Sequence, residues 1–336
     1  MLSRLTRPAA LASVALCSLA LLTACGDDDS GEKQASGFDA VSISGAVGEV
    51  PTFDWKAALK PGKTESEVLD EGDGPAIADG DQVLVNIAVS DDFSQDVVVD
   101  SFGPDRAASI ITVGEEAEPQ QAFDLITQLV GEHIDAGMTV GTRIALTADV
   151  KKEWGDTGLF LTGIDVGNED GIAIVADLQA VPLDAPDGKR VTPAKWAPKI
   201  DFTKDLPSGL DSAGIPKPDV KGKEIRSTTV LEGTGPEIEE GDLAVVNYLG
   251  QTWGGDKPFD TSFDKKRDPL LVNVGVTDGG GITVIDGWSD GLVGVPVGSR
   301  IILEIPPAKG YGKKGQGEDI KGDDILYFVV DVLAAA

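Results

Sequence analysis

Apolar residues along this chain gather in short runs separated by glycine-rich, acidic turns. In the second half these runs cover 243–248, 270–274, 300–305 and 325–333, and their length and β-branched content predict strands. Gly-Asp pairs ahead of the strands mark tight turns. One segment departs from this rhythm. Over 284–291, Val284, Ile285 and Trp288 fall on one face, which predicts a short helix. In the first half, 121–132 predicts a helix at the corresponding place. The pattern is that of an α+β module, a mainly antiparallel sheet with one helix packed against it, used twice.

The duplication is visible in the residues themselves. Glu71-Gly72-Asp73-Gly74-Pro75 returns as Glu232-Gly233-Thr234-Gly235-Pro236, and Val83-Leu84-Val85-Asn86 returns as Ala244-Val245-Val246-Asn247. Val140-Gly141-Thr142-Arg143-Ile144 matches Val297-Gly298-Ser299-Arg300-Ile301, and Asp177 stands opposite Asp331. Lead-ins agree as well, Pro51-Thr52-Phe53-Asp54 against Pro198-Lys199-Ile200-Asp201. Matches in one order across both halves mark an internal repeat. The repeat sets one module at 45–183 and a second at 225–336, with the proline-, lysine- and aspartate-rich 184–224 as a linker.

Length and charge narrow the chemistry. The 336 residues suit about two domains. Lys and Arg number 28 against 57 Asp and Glu, a formal net charge of −29. Such a chain has no basic stripe for phosphate, which argues against nucleic acid as a partner. Cys17 and Cys25 both lie near the N-terminus, and His133 is the one histidine. The modules therefore have no disulfide framework and no His-rich zinc set, and chemistry without metal or cofactor is expected. His133 itself reads as a solvated helix-end residue.

The N-terminus reads as an address. Arg4 and Arg7 precede an uncharged apolar run over 9–22, short for a membrane span and suited to a secretory signal. It ends in Leu22-Thr23-Ala24-Cys25, which resembles the lipobox of bacterial lipoproteins. That resemblance implies a signal peptide at 1–24, lipidation of Cys25 with fatty acyl chains such as palmitate, and a flexible tether at 25–44. The protein would then be extracytoplasmic and held to the membrane by lipid alone. A plain signal peptide with a chance cysteine is the alternative.

The second module carries a further resemblance. Val246-Asn247-Tyr248-Leu249-Gly250, Phe259-Asp260-Thr261-Ser262, Val284-Ile285-Asp286-Gly287-Trp288, Tyr311-Gly312 and Leu326-Tyr327-Phe328 occur in that order over about the last hundred residues. This order resembles the FKBP-type peptidyl-prolyl cis-trans isomerases. The resemblance implies a curved antiparallel sheet wrapping a short helix. It implies that Trp288 floors a proline pocket walled by Tyr248, Phe259, Val284, Ile285 and Phe328, with Ile320 closing the rim. The Ile285 N–H and the Tyr311 hydroxyl would hold substrate carbonyls. Asp260 would face the twisted amide, steadied by Tyr248 and a cation among Lys265, Lys266 and Arg267. Proline-containing unfolded or secreted polypeptides are the implied substrates, and macrolides the implied inhibitors.

Taken singly, each residue has an ordinary explanation. Trp288 on a short amphipathic helix is usually core, Phe328 on a strand likewise, and Asp260 suits a turn. The shared order favours the site. Departures from the family pattern are Leu270 in place of an aromatic wall, Thr283 in place of an acid, an inserted 278–281 loop, and Gly317-Glu318-Asp319 in place of a proline-containing flap. In the first module Ile87 replaces the tyrosine, Val99 precedes Asp100, Thr127 and Gln128 replace the Val-Ile pair, and the tryptophan position falls near Gly131. Ile174 replaces the phenylalanine, and Trp154-Gly155 alone keeps an aromatic. That module is expected to be catalytically silent. The competing function is a non-catalytic adhesion, binding or chaperone lipoprotein built from the same modules.

Overall fold

The computed structural model describes residues 33–102, 108–115, 119–263, 269–275 and 282–336. Cys25 with the signal segment, Lys265, Lys266, Arg267 and the 278–281 loop lie outside the described residues. Residues from Lys33 to Ala336 make one unit.

The chain opens with a hairpin of β1 (Val41–Ser44) and β2 (Thr52–Trp55). Strands β3 (Glu65–Asp70), β4 (Gln82–Asp91), β5 (Val97–Asp100) and β6 (Ser109–Thr112) lead to helix α1 (Ala122–Gly131). Strand β7 (Arg143–Asp149), the short α2 (Val150–Trp154) and β8 (Gly171–Ala180) close the first module. A second hairpin, β9 (Lys199–Thr203) with β10 (Leu206–Asp211), begins the next round. It continues through β11 (Arg226–Glu232), β12 (Leu243–Thr252), β13 (Asp260–Thr261), β14 (Leu270–Asn273), α3 (Asp286–Leu292), β15 (Arg300–Ile305) and β16 (Leu326–Ala335). The two main sheets are antiparallel and share the order β3-β7-β8-β4-β5 and β11-β15-β16-β12-β13, with β6 and β14 paired to β4 and β12; in the second sheet Lys189–Arg190 adds a further strand beside β11.

Strand positions alternate between the two faces of each sheet. The inner face of the second sheet holds Val246, Leu303, Phe328 and Val330 against Trp288 and Leu292 of α3. Gly287 and Gly291 let that helix lie close: a Cβ at either would stand 2.5 Å from Ile305 or 2.7 Å from Leu303. Helix α1 has Leu125, Ile126, Leu129 and Val130 buried in the same rhythm as Gly287, Trp288, Gly291 and Leu292. By that rhythm Ile126 takes the place of Trp288, which corrects the expected position near Gly131. The helix-to-strand connection is longer in the first module, 132–142 against 293–299, and counting back from the shared Val-Gly motif overshoots.

The repeated Arg and Asp prove to be a buried ion pair in each sheet. Arg143 donates to both carboxylate oxygens of Asp177 at 2.6 and 2.8 Å, and Arg300 to those of Asp331 at 2.5 and 2.6 Å. Burial pushes the Asp331 carboxyl up, and Arg300 opposes that shift.

The outer faces are covered, and here two expectations fail. The described part of the supposed tether, 33–44, is structured: Ala40 and Val41 are buried with Trp55, whose indole donates to Ser90 Oγ at 2.9 Å. The supposed linker is likewise structured, with Leu210 of β10 buried against Leu249, Ile302, Tyr327 and Val329. Gln251 clasps Leu210, accepting from its N–H at 3.0 Å and donating to its carbonyl at 2.9 Å. Ser90 and Gln251 each lie three residues beyond Ile87 and Tyr248, the equivalent positions of β4 and β12 whose N–H groups donate to Ser101 and Ser262. The hairpins are therefore equivalent parts of the repeat, strand for strand. The matching lead-ins at Pro51 and Pro198 fall on non-equivalent strands, β2 and β9.

Where the hairpins end, the modules cover each other. Leu84 pairs in register with Ala180 and Ile110, and Val245 pairs identically with Ala334 and Leu271. All six belong to one apolar cluster between the sheets. Equivalent patches facing each other form a pseudo-twofold, isologous interface.

Candidate functional site

Between α3 and the inner face of the second sheet lies an open cleft of about 350 Å³. Its lining is Tyr248, Phe259, Asp260, Leu270, Ile282, Thr283, Val284, Ile285, Trp288, Tyr311 and Phe328. Trp288, only 3% exposed, forms the floor. Its ring meets Tyr248 edge-on at 5.4 Å and Phe328 at 5.2 Å, while Phe259 meets Phe328 at 5.7 Å. Such T-shaped contacts place ring edges on ring faces and fix the walls. Gly250 makes the cluster possible: a Cβ there would lie 2.6 Å from the Phe259 and Phe328 rings.

The sequence expects Val284 and Ile285 on the helix. They precede it: Ile285 is extended, with φ −64° and ψ 148°, and α3 begins at Asp286. Consecutive Thr283, Val284 and Ile285 are β-branched and resist the helical backbone. Among the described residues no backbone acceptor takes the Ile285 N–H, while its carbonyl accepts from Trp288 at 2.8 Å. Asp260, on β13, accepts from the Tyr248 hydroxyl at 2.5 Å and from the Thr261 N–H at 2.9 Å. Burial pushes the Tyr311 hydroxyl up, and the Asp260 charge adds to the shift. Tyr311 is therefore a proton donor at neutral pH. A dry aromatic hollow with donors and one carboxylate can hold a compact apolar ring beside polar amide groups.

Eight of the nine residues singled out for catalysis or binding line this cleft. Ile320 does not. It is buried in the core cluster with Trp288 and Phe328, drawn inward by a tight turn bridging Gln316 and Ile320. Ile282 was missed; it follows a glycine run and carries no periodic signal. Leu270 and Thr283, noted only as departures, are both part of the wall.

The first module has a cleft of about 330 Å³ between α1 and β6, but its lining, Ile110, Ile111, Thr112, Asp124, Thr127 and Gln128 among others, includes no aromatic ring. Register sets Ile87 opposite Tyr248, Val89 opposite Gly250 and Ile174 opposite Phe328. It also pairs Val89 with Val99 where Gly250 pairs with Asp260. Val99, not Asp100, thus takes the place of Asp260. Val89, Ile126 and Ile174 are fully buried in one core, and Trp154 packs against that core. The His133 ring contacts the Leu129 carbonyl at 2.9 Å at the end of α1.

A family model described as FKBP-type peptidyl-prolyl cis-trans isomerase matches residues 235–333. An FK506-binding protein of Neisseria meningitidis is 38% identical over 102 residues, covering 30% of this chain and 87% of that protein. FK506-binding protein 4 of Chaetomium thermophilum is 32% identical over 174 residues, 46% of this chain, and the match spans 34% of its length. The solved structure of the three FKBP domains of wheat FKBP73 aligns with 81% of this chain and 94% of that one, at 16% identity and a TM-score of 0.30.

Proposed function

Because the chain belongs to the FKBP-type peptidyl-prolyl cis-trans isomerase family, we propose that its second module turns X–Pro bonds in exported polypeptides. The observation that carries this reading is the Trp288-floored cleft with Tyr311 and Asp260 beside it. Planar X–Pro amides rotate over a barrier of about 18–20 kcal/mol, and each 1.36 kcal/mol removed is a tenfold gain. No bond breaks, so the residues need only favour the twisted amide. The proline ring sits on Trp288 between Tyr248, Phe259 and Phe328. Tyr311 and the Ile285 N–H donate to substrate carbonyls, holding the chain on either side of the rotating bond. Asp260, held by Tyr248, faces that bond. Water, which stabilises the polar planar ground state, is displaced by the aromatic walls. A macrolide would compete for the same cleft.

Slow prolyl rotation limits folding over tens of seconds, which gives such an enzyme substrates among newly exported chains. Lipid on Cys25 would hold it where those chains emerge. A second reading, client binding without catalysis, draws on Phe93, Leu159 and Phe160 of the first module, exposed by 83%, 56% and 63%.

The test is a cis-to-trans assay of the full chain on a Leu-Pro peptide, with Trp288→Ala and Trp288→Phe alongside. Acceleration is expected, falling at least about a hundredfold in Trp288→Ala and less in Trp288→Phe. No acceleration by the wild-type chain overturns the isomerase reading and leaves client binding. Palmitate labelling of the cells, lost in Cys25→Ser, tests the anchor.

A further inference from the structure

The first module lacks an aromatic-walled cleft like that of the second, yet it covers the back of one wall of that cleft. That wall is carried by β14, four residues long, which pairs along one edge with β12 and is bridged at the other by Ile282. Leu270 pairs with Val246 and Leu271 with Val245, so the two leucines point to opposite faces. Leu270 turns into the cleft. Leu271 turns outward and packs on the apolar cluster that holds Leu84, fully buried, and Ile110 of the first module. So short a strand contributes little stability alone, and packing on its two faces helps to set where Leu270 stands. With the proline ring on Trp288, Leu270 and Ile282 are apolar lining left for the residue next to proline.

We propose that the first module is a positioning element for the isomerase: through Leu84 and Ile110 it sets β14, and so the rim that selects bulky apolar residues beside proline. This rests on the isomerase reading above. The first module then shapes the reaction without touching substrate, which gives it a role although it lacks the aromatic walls of the second.

The experiment compares full-length wild type with Leu84→Ala and Leu84→Met on Leu-Pro and Ala-Pro peptides, together with amide hydrogen exchange. In Leu84→Ala, KM for the Leu-Pro peptide should rise by about threefold to tenfold while kcat changes less than about twofold. The Ala-Pro peptide should be affected less, and Leu84→Met should behave as wild type. Exchange should quicken at Leu271 and stay unchanged at Ile301 and Leu303. Should Leu84→Ala fold poorly, Ile110→Val removes one methyl group and is read the same way. Unchanged KM and unchanged exchange at Leu271 overturn the proposal. If the wild type is inactive, the isomerase reading fails, and exchange at Leu271 alone still decides whether the first module holds β14.

Discussion

The two modules share strand order, register, ion pair and hairpin cover, and differ at inward positions around the cleft. Tyr248, Gly250, Asp260, Gly287, Trp288 and Phe328 of the second stand where the first has Ile87, Val89, Val99, Leu125, Ile126 and Ile174. Each change exchanges an aromatic, an acid or a glycine for an aliphatic side chain. Aliphatic residues fill space closely at these positions, whereas rings meeting edge-on around a glycine wall a cleft there.

That contrast can be broken most forcefully at what the modules have in common. Asp331→Ala and Asp177→Ala each strand a buried arginine, and each should cost about 3–5 kcal/mol in denaturant unfolding. A marked difference between the two would show that the scaffolds are not equivalent.

Gly250→Val copies the first module into the second. Overpacking against Phe259 and Phe328 should cost about 1–3 kcal/mol and close the cleft, lowering kcat/KM by about tenfold to a hundredfold. Unchanged activity would mean that the hollow does not depend on this glycine.

Tyr311→Phe removes one donor and keeps the ring. A loss of about threefold to tenfold in kcat/KM is expected, since one hydrogen bond contributes about 0.5–1.5 kcal/mol.

The smallest effect is in pH. Burial raises Tyr311, and burial together with Glu304, which accepts its hydroxyl at 2.6 Å, raises Tyr327. Folded chain thus holds these protons more tightly than unfolded chain, so their contribution to stability is complete below about pH 10 and is lost as pH rises past it. The rate should stay flat from neutrality to about pH 10, where ordinary phenols ionise. A fall in rate near pH 8 would require another titrating group.

Much of this was legible because the informative patterns are local. Strand runs and the short helix follow from local spacing, and the eight cleft residues from the family resemblance that the motifs carry. What failed was longer in range or hidden by composition. The expected tether at 25–44 and linker at 184–224 take in residues 41–44 and 199–211, strands of hairpins that alternate apolar and polar residues for only a few positions. The place of Trp288 was misassigned to Gly131 because a longer loop breaks the count. Ile320 faces inward because of a bridge four residues wide, which no periodicity announces.

The hairpin clasped by Gln251 carries a practical warning. A fragment cut at residue 225 would lose its β9–β10 lid and its partner module together, laying bare Leu249, Ile302 and Val329 on one half of its back and Val245 and Leu333 on the other. Greasy sheet surface of that extent invites self-association, and dissection of this protein succeeds or fails by where the scissors fall.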